Sequence, residues 1–156
     1  MNRDQMRLRC PHAEVMETVR LDGYRLAFCG SNSNGVATVL PEDGSHVDGV
    51  LWRISEQDEK SLDYYEGWPR LYEKEPLRVT RANGRSVEAM AYTMSAPYKD
   101  SPALPSQSYL LGILYGCRQN HIDNGSVLDA VQRTGQEVEQ AKTQQQCQKN
   151  NREEGR

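Results

Sequence analysis

Glu66 and the aromatic residues beside it, Tyr64, Tyr65, Trp68 and Tyr72, are the side chains here whose types and spacing could do chemistry. The stretch SLDYYEGWPRLYEKE, residues 61–75, reads as the end of a helix and the turn that follows. Ser55 and Asp58 form a Ser-x-x-Asp signal that starts this helix, each side chain serving a free backbone amide. Leu62 and Tyr65 fall three apart on one face, and Gly67 can adopt the left-handed conformation that ends it. Asp63 and Glu66 are thereby placed at the negative end of the helix dipole, where a carboxylate is mildly disfavoured. Local rules tend to be broken at functional or strained sites. An apolar setting raises a glutamate's pKa toward neutrality, which suits general acid–base work. The competing reading is a surface glutamate paired with Arg70 or Lys74, and spacing alone leaves both open.

Other candidate groups carry weaker signals. GSNSNG at 30–35 has the glycines of a phosphate loop but no lysine and no following helix, so a hairpin turn is expected. His12, His46 and His121 are far apart and form no metal pattern, and no metal is expected. The serines at 61, 95, 101, 106 and 108 lack a G-x-S-x-G context. Tyr92 and Tyr109 read by themselves as core aromatics. Cys10, Cys29, Cys117 and Cys147 include no C-x-x-C pair, which points to reduced thiols in the cytoplasm rather than disulfides or zinc.

The elements that must position these residues follow from turn signals and periodicity. A chain of 156 residues suits a domain with a real core. The net charge of −3 and scattered Lys and Arg argue against nucleic acid, and no apolar run is long enough to span a bilayer. Turns are expected at 22–23, 31–35, 41–45 and 82–85, with strands at 14–20, 24–29, 35–40, 47–54, 72–80 and 86–94. Asn83-Gly84 predicts a tight type I′ hairpin between the last two. Short helices are expected over 3–9, capped by Asn2 with Gln5, and from 55 to 67. A third carries the stripe Leu110, Ile113, Leu114 and Cys117, and a fourth begins near Ser126 and packs Leu128 and Val131. After Gly135 the chain is polar and Gln-rich, so 135–156 is expected to be a solvated helix or a disordered tail appended to a domain at 1–134. The result is a mixed α/β (α+β) domain with a curved, largely antiparallel sheet and few helices.

Four stretches, in this order, resemble the γ-glutamylcyclotransferase family, its AIG2-like members included. They are MNRDQMRLRCP, DGVLWRISEQDEKSLDYYEG, VEAMAYTM and PSQSYLLGILYGCRQNHI. The strand–helix–YEG stretch is the most specific, and the resemblance runs from residue 1 to about residue 132. It implies a small, strongly curved β-barrel with flanking helices and no cofactor. It also implies conversion of a γ-glutamyl amine or γ-glutamyl amino acid to 5-oxoproline and free amine. Glu66 matches the family's catalytic glutamate. Tyr72, Tyr92 and Tyr109 match residues that line the pocket. Met1 and its neighbour Asn2 are expected to bind substrate, since they stand at the end of the family's substrate loop, a Y-G-S-N motif followed by Leu or Met. Only its last position, Met1, is matched, so the expectation is a start placed too late or a truncated chain. The alternative function is a non-catalytic member that binds a small acid or a protein partner. The oligomeric state is left open.

Overall fold

The structure is a computed structural model that describes residues 1–31 and 34–154. Asn32 and Ser33, in the expected 31–35 turn, and the last two residues of the tail lie outside the described residues. The order is α1 (Arg3–Arg9), β1 (Glu14–Cys29), β2 (Val36–Arg53), α2 (Glu56–Glu66), β3 (Tyr72–Arg81), β4 (Ser86–Met94), a 3₁₀ turn (Tyr98–Asp100), α3 (Gln107–Gln119) and α4 (Gly125–Glu154).

Four strands replace the six expected, because two turn signals do not reverse the chain. Asp22 pairs with His46 and Tyr24 with Pro41, so Gly23 on β1 faces residues 42–45 of β2 across an irregularity in one long antiparallel ladder. Gly23 (φ 78) and Gly44 (φ 81) supply its left-handed positions. The hairpin at 82–85 also differs from expectation. Only Gly84 has positive φ, and the Gly84 amide bonds to the Arg81 carbonyl at 2.9 Å. The loop is therefore a three-residue turn closed by a glycine bulge, not a type I′ turn.

The sheet order is β2-β1-β3-β4, all antiparallel. β1 meets β3 only at Val19↔Arg81 and Arg20↔Thr80, which lets the sheet curl strongly. It does not close into a barrel. The edges β2 and β4 are instead tied by the Met94 amide, which donates to Thr38 Oγ1 at 2.9 Å.

Alternation along β1 sends successive residues to opposite faces. Ala27 and Cys29 pack with Tyr72 and Met94. Phe28, on the other face, packs with Cys117, Val127 and Ala130 of α3 and α4, joined by Leu110, Ile113 and Leu114 as the stripe predicts. In α4 Val127, Ala130 and Thr134 are buried, Val131 packs against that cluster as expected, and Leu128, expected beside it, is instead 49% exposed. α4 passes through Gly135 without a break, and Glu137 meets Arg25 of β1 at 3.1 Å. The four cysteines are free thiols. No helix among the described residues is long and apolar enough to cross a membrane.

Candidate active site

α2 aims the carboxylate of Glu66. Ser55 and Asp58 complete the capping box expected of them, which fixes the start of the helix. Leu62 is buried and anchors the inner face, and Tyr65, expected beside it, is half exposed at the cavity mouth. Gly67 (φ 67) ends the helix, with the Trp68 amide donating to Asp63 O at 3.0 Å. The turn then delivers Tyr72 into β3, six residues beyond Glu66.

A cavity of about 440 Å³ opens at this point. Glu66, Met1, Asn2, Tyr72, Tyr92 and Tyr109 all line it. They arrive from α2, the start of α1, β3, β4 and α3. Asn2 is engaged at both ends of its amide: Oδ1 accepts the Asp4 and Gln5 amides, both at 3.0 Å, and Nδ2 donates to Gly112 O at 3.2 Å. Its side chain therefore pins α1 against α3.

The ion pair that competed for Glu66 does not form. Lys74 turns instead to Glu59 at 2.6 Å and Asp63 at 2.7 Å, and its ammonium lies 4.8 Å from the centre of the Trp68 ring. Among the described residues Glu66 makes no salt bridge and no side-chain hydrogen bond. Burial pushes its pKa up, against the opposing charges of Arg9 and the Met1 amino group. Asp63, three residues earlier on the same helix, goes the other way. Burial raises it, but hydrogen bonds from Lys74 and Tyr92 outweigh that and hold it below the ordinary carboxylate value. Two carboxylates on one helix end are thus separated in role by their surroundings.

The three phenols differ in what they have left to offer. Tyr92 donates to Asp63 Oδ1 at 2.6 Å. Tyr72 donates to the Ala37 carbonyl at 2.7 Å. Tyr109 does the opposite and accepts the Ala37 amide at 2.9 Å, which leaves its own proton free among the described residues. Ala37 lies on edge strand β2, so these two phenols satisfy peptide groups that no neighbouring strand reaches. Burial raises all three phenol pKa values, so each remains protonated at neutral pH.

Sequence reasoning missed Asp63 as the partner of Tyr92, Ala37 as the bridge between Tyr72 and Tyr109, and Arg9 on the cavity wall. Asp63 could have been found from its position one turn before Glu66. The other contacts join residues far apart in the chain and leave no local signal. No group of three or more His, Cys, Asp or Glu among the described residues is placed to hold a metal ion.

Comparisons with known proteins bear on the family and the fold. The gamma-glutamylcyclotransferase of Homo sapiens is 28% identical over 125 residues, 75% of this chain and 65% of that protein. The Mus musculus protein of the same name matches over the same shares at 28%. The chain thus spans about two thirds of the length of these curated relatives. A solved gamma-glutamyl cyclotransferase superposes with a TM-score of 0.71 at 26% identity, covering 85% of this chain and 79% of that one. The family described as gamma-glutamyl cyclotransferase, AIG2-like, matches residues 1–111, and the chain belongs to that family.

Proposed function

We propose that this chain converts a small γ-glutamyl amine or γ-glutamyl amino acid to 5-oxoproline and the free amine, with Glu66 as general acid–base. The observation that carries the reading is an unpaired glutamate, raised in pKa by burial, in a cavity walled by three neutral tyrosines. The substrate's α-ammonium gives a proton to Glu66, and the neutral nitrogen attacks its own γ-carbonyl carbon. The ring closes as the C–N bond to the leaving amine breaks. Over the reaction the α-nitrogen loses two protons and becomes the lactam N–H. The leaving nitrogen gains two and departs as an ammonium, the first relayed through Glu66 as the bond breaks.

A carboxylate whose pKa is raised above its usual range is a stronger base for the first step than an exposed one, and it holds the proton it takes until the leaving nitrogen needs it in the second. Nucleophile and electrophile belong to one molecule, so the protein mainly has to fold the substrate and move the proton. Tyr109, whose proton is free, is suited to hydrogen-bond the γ-carbonyl oxygen as it gains charge. Tyr72 and Tyr92 shape the wall. γ-Glutamyl dipeptides derived from glutathione present the required head, and the free thiols fit work in the cytoplasm.

The test is release of 5-oxoproline from γ-glutamyl-alanine and γ-glutamyl-lysine, followed by chromatography. Turnover that is lost in Glu66→Gln is expected. A folded protein that turns over nothing in a broad γ-glutamyl panel would sink the proposal.

A further inference from the structure

A γ-glutamyl head carries three polar groups: an α-ammonium, an α-carboxylate and a γ-carbonyl. In the function proposed above, Glu66 serves the first and Tyr109 the third. The carboxylate calls for a cation, since charge-assisted pairing with arginine is the strong, geometrically defined way to hold one. Arg9, in the last turn of α1, lines the same cavity. Its guanidinium stacks on the Tyr65 ring, 3.5 Å from the centroid. Its Nη2 donates to the Tyr65 hydroxyl and to Gln5 Oε1, the latter at 3.4 Å. Both bonds leave from one nitrogen. An arginine has five donors, and those on Nε and Nη1 are unused among the described residues.

Arg9 also lacks what Arg20, Arg25, Arg53, Arg81 and Arg133 all have, a carboxylate partner among the described residues. Its charge nevertheless reaches Glu66. The cavity therefore holds an unpaired guanidinium and an unpaired carboxylate facing a common space, the charge complement of an α-amino acid head, and burial disfavours the charge on the Met1 amino group that shares it. Stacking on Tyr65 fixes the guanidinium plane before any ligand arrives, which lowers the ordering cost of binding.

We propose that Arg9 binds the substrate's α-carboxylate, held in place by Tyr65 and Gln5, and so directs the α-nitrogen toward Glu66. This inference rests on the γ-glutamyl reading of the cavity and restricts the substrate class to γ-glutamyl compounds with a free α-carboxylate. The test titrates 5-oxoproline, and 2-pyrrolidinone as the same lactam without the carboxylate, into wild type, Arg9→Met and Arg9→Lys, followed by NMR shifts. Wild type is expected to bind 5-oxoproline more tightly than 2-pyrrolidinone. Arg9→Met should weaken 5-oxoproline by about tenfold or more and leave 2-pyrrolidinone unchanged, and Arg9→Lys should restore part of the loss. With γ-glutamyl-alanine as substrate, KM should rise more than kcat falls.

Unchanged 5-oxoproline affinity in Arg9→Met, equal loss of both lactams, or no 5-oxoproline binding by wild type overturns the assignment. Binding that depends on Arg9 without any turnover would leave this role standing and remove the enzymatic reading. Full turnover by Arg9→Met would do the reverse.

Discussion

Replacing Tyr109 with Phe separates two jobs that one oxygen performs. The hydroxyl accepts the Ala37 amide at 2.9 Å, and its proton is free for the cavity. Tyr72 is the natural control, because its hydroxyl meets the same residue with opposite polarity, donating to the Ala37 carbonyl at 2.7 Å. Each phenylalanine removes one hydrogen bond to a peptide group, so each should cost about 1 kcal/mol of stability. Activity should divide the pair. Loss of a donor to a developing oxyanion typically costs about 100-fold or more in kcat, and only Tyr109 has a donor to lose. Tyr109→Phe should therefore lower kcat by about that factor, with Tyr72→Phe falling by less than about tenfold. Urea denaturation and 5-oxoproline release on the same preparations measure both quantities. Equal kcat losses in the two variants, or a larger loss in Tyr72→Phe, would refute the donor assignment.

Three further outcomes follow from the same geometry. Glu66 has a folded pKa raised by burial, so its contribution to stability is present at low pH and lost as pH rises through that pKa. Glu66→Gln should accordingly raise Tm at about pH 8 and lose that advantage by about pH 4. Asp63 has the opposite sign: its lowered pKa gives stability above the unfolded value that disappears as pH falls. Asp63→Asn should thus lower Tm at neutral pH and converge with wild type in acid. A Cβ on Gly116 would sit 2.8 Å from the Asn2 backbone nitrogen, whereas one on Gly112 would meet only the Gln5 side-chain amide at 3.3 Å. Gly116→Ala should cost about 1–3 kcal/mol by overpacking and reduce activity by displacing α1, with Gly112→Ala milder in urea denaturation.

Much of α2 was legible in the sequence because its signals are local. Ser55, Asp58 and Gly67 act within one or two turns of the chain, and each does what its type dictates. The α3 stripe is legible for the same reason. Gly23 and Gly44 misled because a glycine permits a left-handed residue without saying whether the chain reverses there. Here the two lie across from one another, and the ladder continues past both. In α4 Val131 packs as expected, but Val127 is buried where Leu128 is expected, since the two are neighbouring apolar residues and only packing against Phe28 chooses between them.

The site divides along the same line. Glu66 could be singled out from its clash with the helix dipole. What separates it from Asp63 could not be seen, because Lys74 stands within reach of both in sequence and only the fold shows that it serves Asp63. The Ala37 bridge and the Arg9–Tyr65 stack depend on contacts across the whole domain.

The most direct test of the central claim is the pH dependence of kcat/KM for 5-oxoproline release from γ-glutamyl-alanine, wild type beside Glu66→Gln. Wild type should show an acid limb above the ordinary glutamate range, as burial of Glu66 requires. Glu66→Gln should fall by orders of magnitude and lose that limb. A variant that keeps wild-type turnover, or the same limb in both proteins, would contradict the assignment of Glu66 as the acid–base.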